Sequence, residues 1–158
     1  DDSSEGNRML LMEDKNIVWS QYCDTLYVYD MEGELLQKEA VASDYIKTKL
    51  TPASIYDSWT DFQLTNRIVQ EGSYISKLCY DPYRDIYYCF VTDKVSEGRN
   101  DFYVIILNSD LKKIGEIPFV DGEYFDYPIV GKKGLYLLKQ NNESGFRNQT
   151  YTLFRYER

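Results

Sequence analysis

An all-β fold is what this sequence predicts, and three observations predict it. Sixteen Tyr and seven Phe stand among only four Pro and nine Gly, and aromatic rings favour the pleated, half-buried surface of a strand. Strand-length runs alternate with turn residues along most of the chain. The same strand and turn order also recurs, most sharply at Tyr80-Asp81-Pro82-Tyr83-Arg84-Asp85, where a rigid turn separates two aromatic strands. Proline presets φ at the second turn position, and the aspartate before it can accept hydrogen bonds from the backbone that follows.

The elements follow in order. Residues 8–12 and 16–21 read as strands around the polar turn Glu13-Asp14-Lys15. Residues 24–30 alternate Leu26 and Val28 against Tyr27 and Tyr29, and Met31-Glu32-Gly33-Glu34 turns the chain into a strand over 35–39. A second meander takes 73–80, 85–92, 101–108 and 112–118, with a polar loop expected at 93–100. A last set takes 124–130, 134–139 and 149–158, and its fourth strand is missing.

The repeat is visible at strand ends. Leu26 to Asp30, Val104 to Asn108 and Leu153 to Glu157 each close an apolar strand with an acidic or amide residue. The later interval suits a four-stranded propeller blade, which in known repeats takes ~40 to 50 residues. The earlier one is longer by about the length of an odd segment at 41–72, read as an insertion between blades. There Thr51-Pro52 looks like a helix cap, and Ile55, Trp59 and Phe62 share one helical face, so a short helix is expected over 53–70. A strand over 62–69 is the competing reading. The fold expected is thus antiparallel four-stranded meanders of β-propeller type, about two and a half blades, with one short helical insertion.

Composition narrows the function. A net charge of -8 argues against a phosphate-binding surface, because nucleic-acid affinity needs clustered Lys and Arg. No run approaches the ~20 apolar residues of a membrane-spanning helix. The chain has no histidine, which removes the common Ser-His-Asp and Cys-His nucleophilic systems and the commonest zinc ligand. No glycine-rich phosphate cradle is present either. Cys23, Cys79 and Cys89 have no metal-binding spacing. A bridge between Cys79 and Cys89 needs one particular strand register, so buried thiols are the expected state. No cofactor and no metal are expected.

The residues 80–90 resemble those of a family of uncharacterised, β-propeller-like lipoproteins of Bacteroidetes, whose signature is a Tyr-Asp-Pro-Tyr-Arg turn followed by a Tyr-Tyr strand. Here it is Tyr80-Asp81-Pro82-Tyr83-Arg84 with Tyr87-Tyr88. Echoes occur at Asp24-Thr25-Leu26-Tyr27-Val28-Tyr29-Asp30, at Leu111 to Glu116, and at Lys133-Gly134-Leu135-Tyr136-Leu137. Family members often carry Arg where this chain has Cys89, so no role of that guanidinium carries over. They are also about twice as long, and the resemblance implies a six- or seven-bladed ring. It makes the chain the C-terminal part of a longer protein, or one that completes its sheets by oligomerising. The resemblance implies a cell-envelope location, an upstream lipid anchor, and no established reaction.

Candidate sites are sought among turns and exposed aromatics. Propellers commonly bind through loops around the central channel, which favours Tyr83 and Arg84. Tyr56, Trp59 and Tyr124 could stack on a sugar or anchor a protein partner, whereas Trp19, inside a strand, is expected in the core. Asp30, Glu32 and Glu34 could gather calcium, although a solvated hairpin turn explains them more simply. Asp57, Asp61, Asp121, Glu123 and Asp126 are acids from which a glycosidase pair could be drawn. The expected function is therefore a non-enzymatic binding or scaffolding module of the cell envelope with a protein or glycan partner. The rival is a glycan-active enzyme or sugar-binding module.

Overall fold

The computed structural model describes residues 8–20, 23–46, 72–96, 99–120, 122–139 and 150–156. Among these residues all helical or strand structure is strand. Four strands, β1 (Arg8–Leu11), β2 (Asn16–Trp19), β3 (Thr25–Tyr29) and β4 (Leu35–Ala40), form the first sheet in sequence order. A second sheet of the same order holds β5 (Tyr74–Asp81), β6 (Ile86–Ser96), β7 (Arg99–Asn108) and β8 (Lys113–Phe119). The third has three strands, β9 (Tyr124–Gly131), β10 (Gly134–Lys139) and β11 (Thr150–Phe154), with β10 in the middle. Every pairing is antiparallel.

All eleven strands stand where the alternation of apolar and polar residues puts them. The one difference is at 93–100, where a polar loop is expected and the β6 to β7 hairpin instead continues to a Ser96 to Arg99 pair. Pairing satisfies backbone donors and acceptors whatever the polarity of the side chains, so a hairpin can run on through a polar stretch. The expected insertion is irregular at its described ends, 41–46 and 72, rather than helical. Residues 53–70, and with them the expected helix and the competing strand, lie outside the described residues.

The turns explain the repeat of acidic or amide residues at strand ends. The Asp30 Oδ1 accepts hydrogen bonds from the backbone N–H of Glu32 at 3.0 Å and Glu34 at 2.8 Å. Asn108 Oδ1 accepts from Asp110 at 3.1 Å and Lys112 at 2.8 Å in the same pattern. The third residue after each adopts positive φ: Gly33 at 91° and Leu111 at 62°. Glycine enters that region without a steric penalty, whereas leucine is held there by its own buried side chain. Asp30 thus spends its carboxylate on closing a hairpin, the simpler of the two expectations for that segment.

The middle sheet is buried on both faces. Ile75, Tyr87, Cys89, Val91, Ile105 and Leu107 pack against Ile17, Trp19, Leu26 and Val28 of the first sheet. Its opposite face, with Ile86, Tyr88, Phe90, Phe102, Val104 and Ile106, packs against Leu135 and Leu137 of the third. Such strands read as near-continuous apolar runs, as 102–107 does, because neither face meets water. Trp19 lies in this core as expected, its indole N–H donating to the Ile75 carbonyl at 3.4 Å.

Corresponding edges of the sheets lie together. Arg8 on β1 donates to the Ser76 carbonyl on β5, and Lys77 on β5 donates to the Asp126 carbonyl on β9. On the opposite edge Gln37 of β4 donates to the Asp110 carbonyl at 3.0 Å, and Glu39 of β4 pairs with Lys112. Lys113 reaches Asp44 at 2.8 Å and the deeply buried carboxylate of Glu116 at 2.6 Å. First strands therefore neighbour first strands through all three sheets, and the fourth strand of the first sheet neighbours the fourth of the second.

Candidate functional site: a cleft at the Asp81-Pro82 turn

The turn between β5 and β6 is built around one buried carboxylate. Asp81 is fully enclosed. Its Oδ1 accepts from the Tyr83 N–H at 3.0 Å, while Oδ2 accepts from Arg84 Nη1 at 2.9 Å and from the Tyr88 hydroxyl at 3.1 Å. The Asp81 carbonyl also accepts from the Arg84 N–H at 3.3 Å. A buried charge is tolerated when an opposite charge and hydrogen bonds saturate it, and this one has both. The Tyr-Asp-Pro-Tyr-Arg pattern is thus one interlocked unit, with Tyr88 reaching back from the following strand.

That unit orients the tip. Arg84 extends its second nitrogen, Nη2, to the Lys132 carbonyl at 3.1 Å, tying the β5 to β6 turn to the β9 to β10 turn of the third sheet. Tyr83 is left 57% exposed. Asp85, at a φ of 53°, accepts from the Tyr80 hydroxyl at 2.9 Å, and the Tyr80 and Tyr87 rings lie 5.0 Å apart. Pro82, Tyr83, Arg84, Asp85 and, from the segment after β11, Tyr156 line an open cleft of about 430 Å³.

Of the five candidate binding residues, the structure brings Tyr83 and Arg84 together in this cleft. Tyr124 stands at the far end of β9, seven residues before the Gly131 turn and so roughly 20 Å from it along the strand. It is half-buried, in edge contact with the rings of Phe119 at 5.6 Å and Phe154 at 5.5 Å, so its ring joins sheets. Tyr56 and Trp59 lie outside the described residues. Tyr156 is the cleft residue that sequence reasoning missed. Its only signal was membership of the last repeat, and no local pattern says that a strand end will fold over a turn about seventy residues earlier.

The acids do not gather. Glu123 pairs with Lys139 at 3.0 Å, and Asp126 stands 4.0 Å from Lys77. Asp57, Asp61 and Asp121 lie outside the described residues. Among the described residues no group of three metal-binding side chains occurs. None of the three cysteines forms a disulfide. Register gives the reason for Cys79 and Cys89: Cys79 pairs with Tyr88 and Leu78 with Cys89, so the two thiols point to opposite faces of the sheet. Burial pushes the Cys79 thiol up to about 11 and Cys89 higher still.

Burial, and then the adjacent Asp81 charge and hydrogen bond, raise the Tyr88 phenol well above its ordinary value. The bond from Tyr80 to Asp85, reinforced by burial, pushes Tyr80 up to about 12. A group whose folded pKa is raised stabilises the fold fully below its unfolded pKa, and that contribution is lost as pH rises toward the folded value. Stability is therefore expected to hold up to about pH 10 and to fall above it. In a tyrosinate absorbance titration, Tyr88→Phe should remove one late-titrating phenol; an unchanged late phase contradicts this assignment.

The class of protein that fold and site define is an all-β protein of stacked antiparallel meanders, with an open aromatic cleft at one turn. Within that class the chain belongs to the family described as domain of unknown function (DUF4221), whose profile matches residues 2–118. Its fold is similar to the crystal structure of a DUF4221 member from Bacteroides vulgatus, with a TM-score of 0.73 at 22% sequence identity. That alignment covers 98% of this chain and 46% of the solved one, so the chain spans less than half its length. No curated protein matches the chain. Among the described residues no helix is long and apolar enough to cross a membrane.

Proposed function

We propose that this chain is a section of a β-propeller that serves as a non-enzymatic binding module of the bacterial cell envelope, and that it contacts a protein or glycan through the Tyr83 turn. The propeller reading is supported by the stacking: like edges of successive meanders lie together, as blades do around an axis. The envelope location rests on the likeness of the Tyr-Asp-Pro-Tyr-Arg segment to that of Bacteroidetes lipoproteins, which implies a lipid anchor upstream.

One observation carries the binding reading. Tyr83 is a large ring held out to solvent by a turn whose every neighbour is tied down, so little entropy remains to be lost when a partner stacks on it. Arg84 and Tyr156 flank it. The two acids of the turn are committed, Asp81 to Arg84 and Tyr88, and Asp85 to Tyr80, an arrangement that favours recognition over hydrolysis. The rival reading, a glycan-active enzyme, requires two carboxylates converging on one sugar.

An array of bacterial and dietary glycans, run beside a hydrolysis assay, tests both. The expected result is retention without turnover, reduced at least tenfold by Tyr83→Ala. Stability should change by no more than about 0.5 kcal/mol in that variant, because the ring is exposed. Turnover of any glycan supports the rival, and binding indifferent to Tyr83→Ala overturns the assignment of the turn.

A further inference from the structure

The cations of this acidic chain are unevenly committed. Among the described side chains, most lysines and arginines are engaged with carboxylates, with tyrosine rings or with a carbonyl. Lys132, Lys133 and Arg155 are exposed and make no such contact among the described residues. All of them border the cleft at the Asp81-Pro82 turn. Arg84 reaches the Lys132 carbonyl at 3.1 Å, Lys133 is next in the same turn, and Arg155 precedes the lining residue Tyr156. Asp81 and Arg84 cancel one another within the turn, which leaves Lys132, Lys133 and Arg155 against the single carboxylate of Asp85. In a chain of net charge -8 the cleft is therefore locally cationic, and a field of that sign concentrates anions at the site.

We propose that this cleft takes an acidic glycan, with the pyranose face of a uronic acid residue stacked on Tyr83 and its carboxylate turned toward Lys132, Lys133 and Arg155. The inference rests on the binding reading given above and narrows its ligand. Tyr83, 57% exposed, offers a ring to the C–H face of a sugar. Asp85 gives Oδ1 to the Tyr80 hydroxyl and keeps Oδ2 to accept from a sugar hydroxyl. Lysine ammonium groups on long stems meet a carboxylate without demanding one geometry, which suits an acid repeated along a chain. The cleft is open, of about 430 Å³, and lined by rings, a guanidinium and a carboxylate. It lacks the enclosed apolar pocket in which a protein partner's anchor residue is seated, so a sugar acid fits it better than an acidic peptide.

Paired probes that differ only in the carboxylate test it: tetragalacturonate beside its carboxyl-reduced form, and an oligomannuronate beside its own. The acidic member of a pair should bind about tenfold more tightly, the equivalent of roughly two to three exposed ion pairs. Added sodium chloride should remove most of that difference, because exposed charges are screened. Lys132→Gln together with Lys133→Gln, and separately Arg155→Gln, should weaken binding of the acidic member by about threefold to tenfold. Near-ultraviolet circular dichroism should be unchanged in these variants, since the side chains are exposed. Tyr83→Ala should weaken both members. Equal binding of both members, lost in Tyr83→Ala, overturns the acidic class and leaves the binding reading standing. A preference for the acidic member that survives the lysine and arginine replacements overturns the place given to the carboxylate. Polyglutamate bound as tightly as the uronides overturns a sugar as the source of the acid. Retention of no acidic probe overturns the inference, and retention of nothing on the wider glycan array overturns glycan binding with it.

Discussion

Replacing Phe119 with alanine is expected to cost about 3–5 kcal/mol, the range for removing a large buried ring from a packed core. Phe119 is only 6% exposed and holds together rings from different elements. It stacks on Phe102 at 5.0 Å and meets Phe154 and Tyr124 edge-on at 5.0 and 5.6 Å. Aromatic pairs add about 0.5–1.5 kcal/mol each beyond the area they bury, and the neighbours belong to strands that cannot close the gap without giving up their ladders. Because these rings carry much of the contact between second and third sheets, the loss should concentrate there. Urea unfolding followed by fluorescence should show a large drop in midpoint for Phe119→Ala. Phe119→Leu, which keeps most of the apolar volume, should cost less. A loss below about 1 kcal/mol for the alanine variant would mean that the third sheet is held by something other than this cluster.

The second large effect is expected at Asp81. Alanine there strands the Arg84 guanidinium, the Tyr88 hydroxyl and the Tyr83 N–H at once. Breaking a buried ion pair by removing one partner costs about 3–5 kcal/mol. The Arg84 side chain retains 20% exposure, so water recovers part of that and about 2–4 kcal/mol is expected. Tyr88→Phe, which removes one of three hydrogen bonds, should cost only about 1 kcal/mol. A double-mutant cycle decides whether the network acts as a unit. With Asp81→Ala already in place, Arg84→Ala should add little, and additive losses would show that the ion pair is incidental. Asp81→Ala should also weaken whatever binds at Tyr83, since the ring loses the N–H bond that fixes its backbone.

Much of the fold is legible in the sequence because its causes are local. The Asp30 and Asn108 turns are set by a side-chain oxygen reaching backbone two and four residues on, and Leu26 and Val28 find their face by alternation alone. Phe102, Val104 and Ile106 announce one buried face, and Tyr103, Ile105 and Leu107 the other. The polar run at 93–100 misled for the same reason, since residue polarity is a local signal while the strand pairing there is made by the backbone.

The site was half legible. Tyr83 and Arg84 follow from a proline turn with an aromatic tip, and the structure places both at one cleft. Tyr124 has the same composition signal, yet it lies in a ring cluster, because alternation along β9 puts it on the face of Pro128 and Val130 and the packing of distant strands brings Phe119 and Phe154 against it. Tyr156 enters the cleft through a contact between parts of the chain far apart in sequence. Cys79 and Cys89 show the same limit, since one residue of register decides between facing thiols and thiols on opposite sides of a sheet.

By itself the sequence determined an acidic, all-β character, the eleven strands of the described residues, the hairpin turns and the rigid Tyr-Asp-Pro-Tyr-Arg unit, because alternation, proline φ and aspartate capping act within a few residues. The tertiary structure alone decided that the meanders stack with like edges together, that Asp81 is buried with Arg84 and Tyr88 around it, and that Tyr156 lines the cleft beside that turn. These follow from which sheet meets which, and that choice is made by the summed burial of faces too distant in sequence for any local pattern to record.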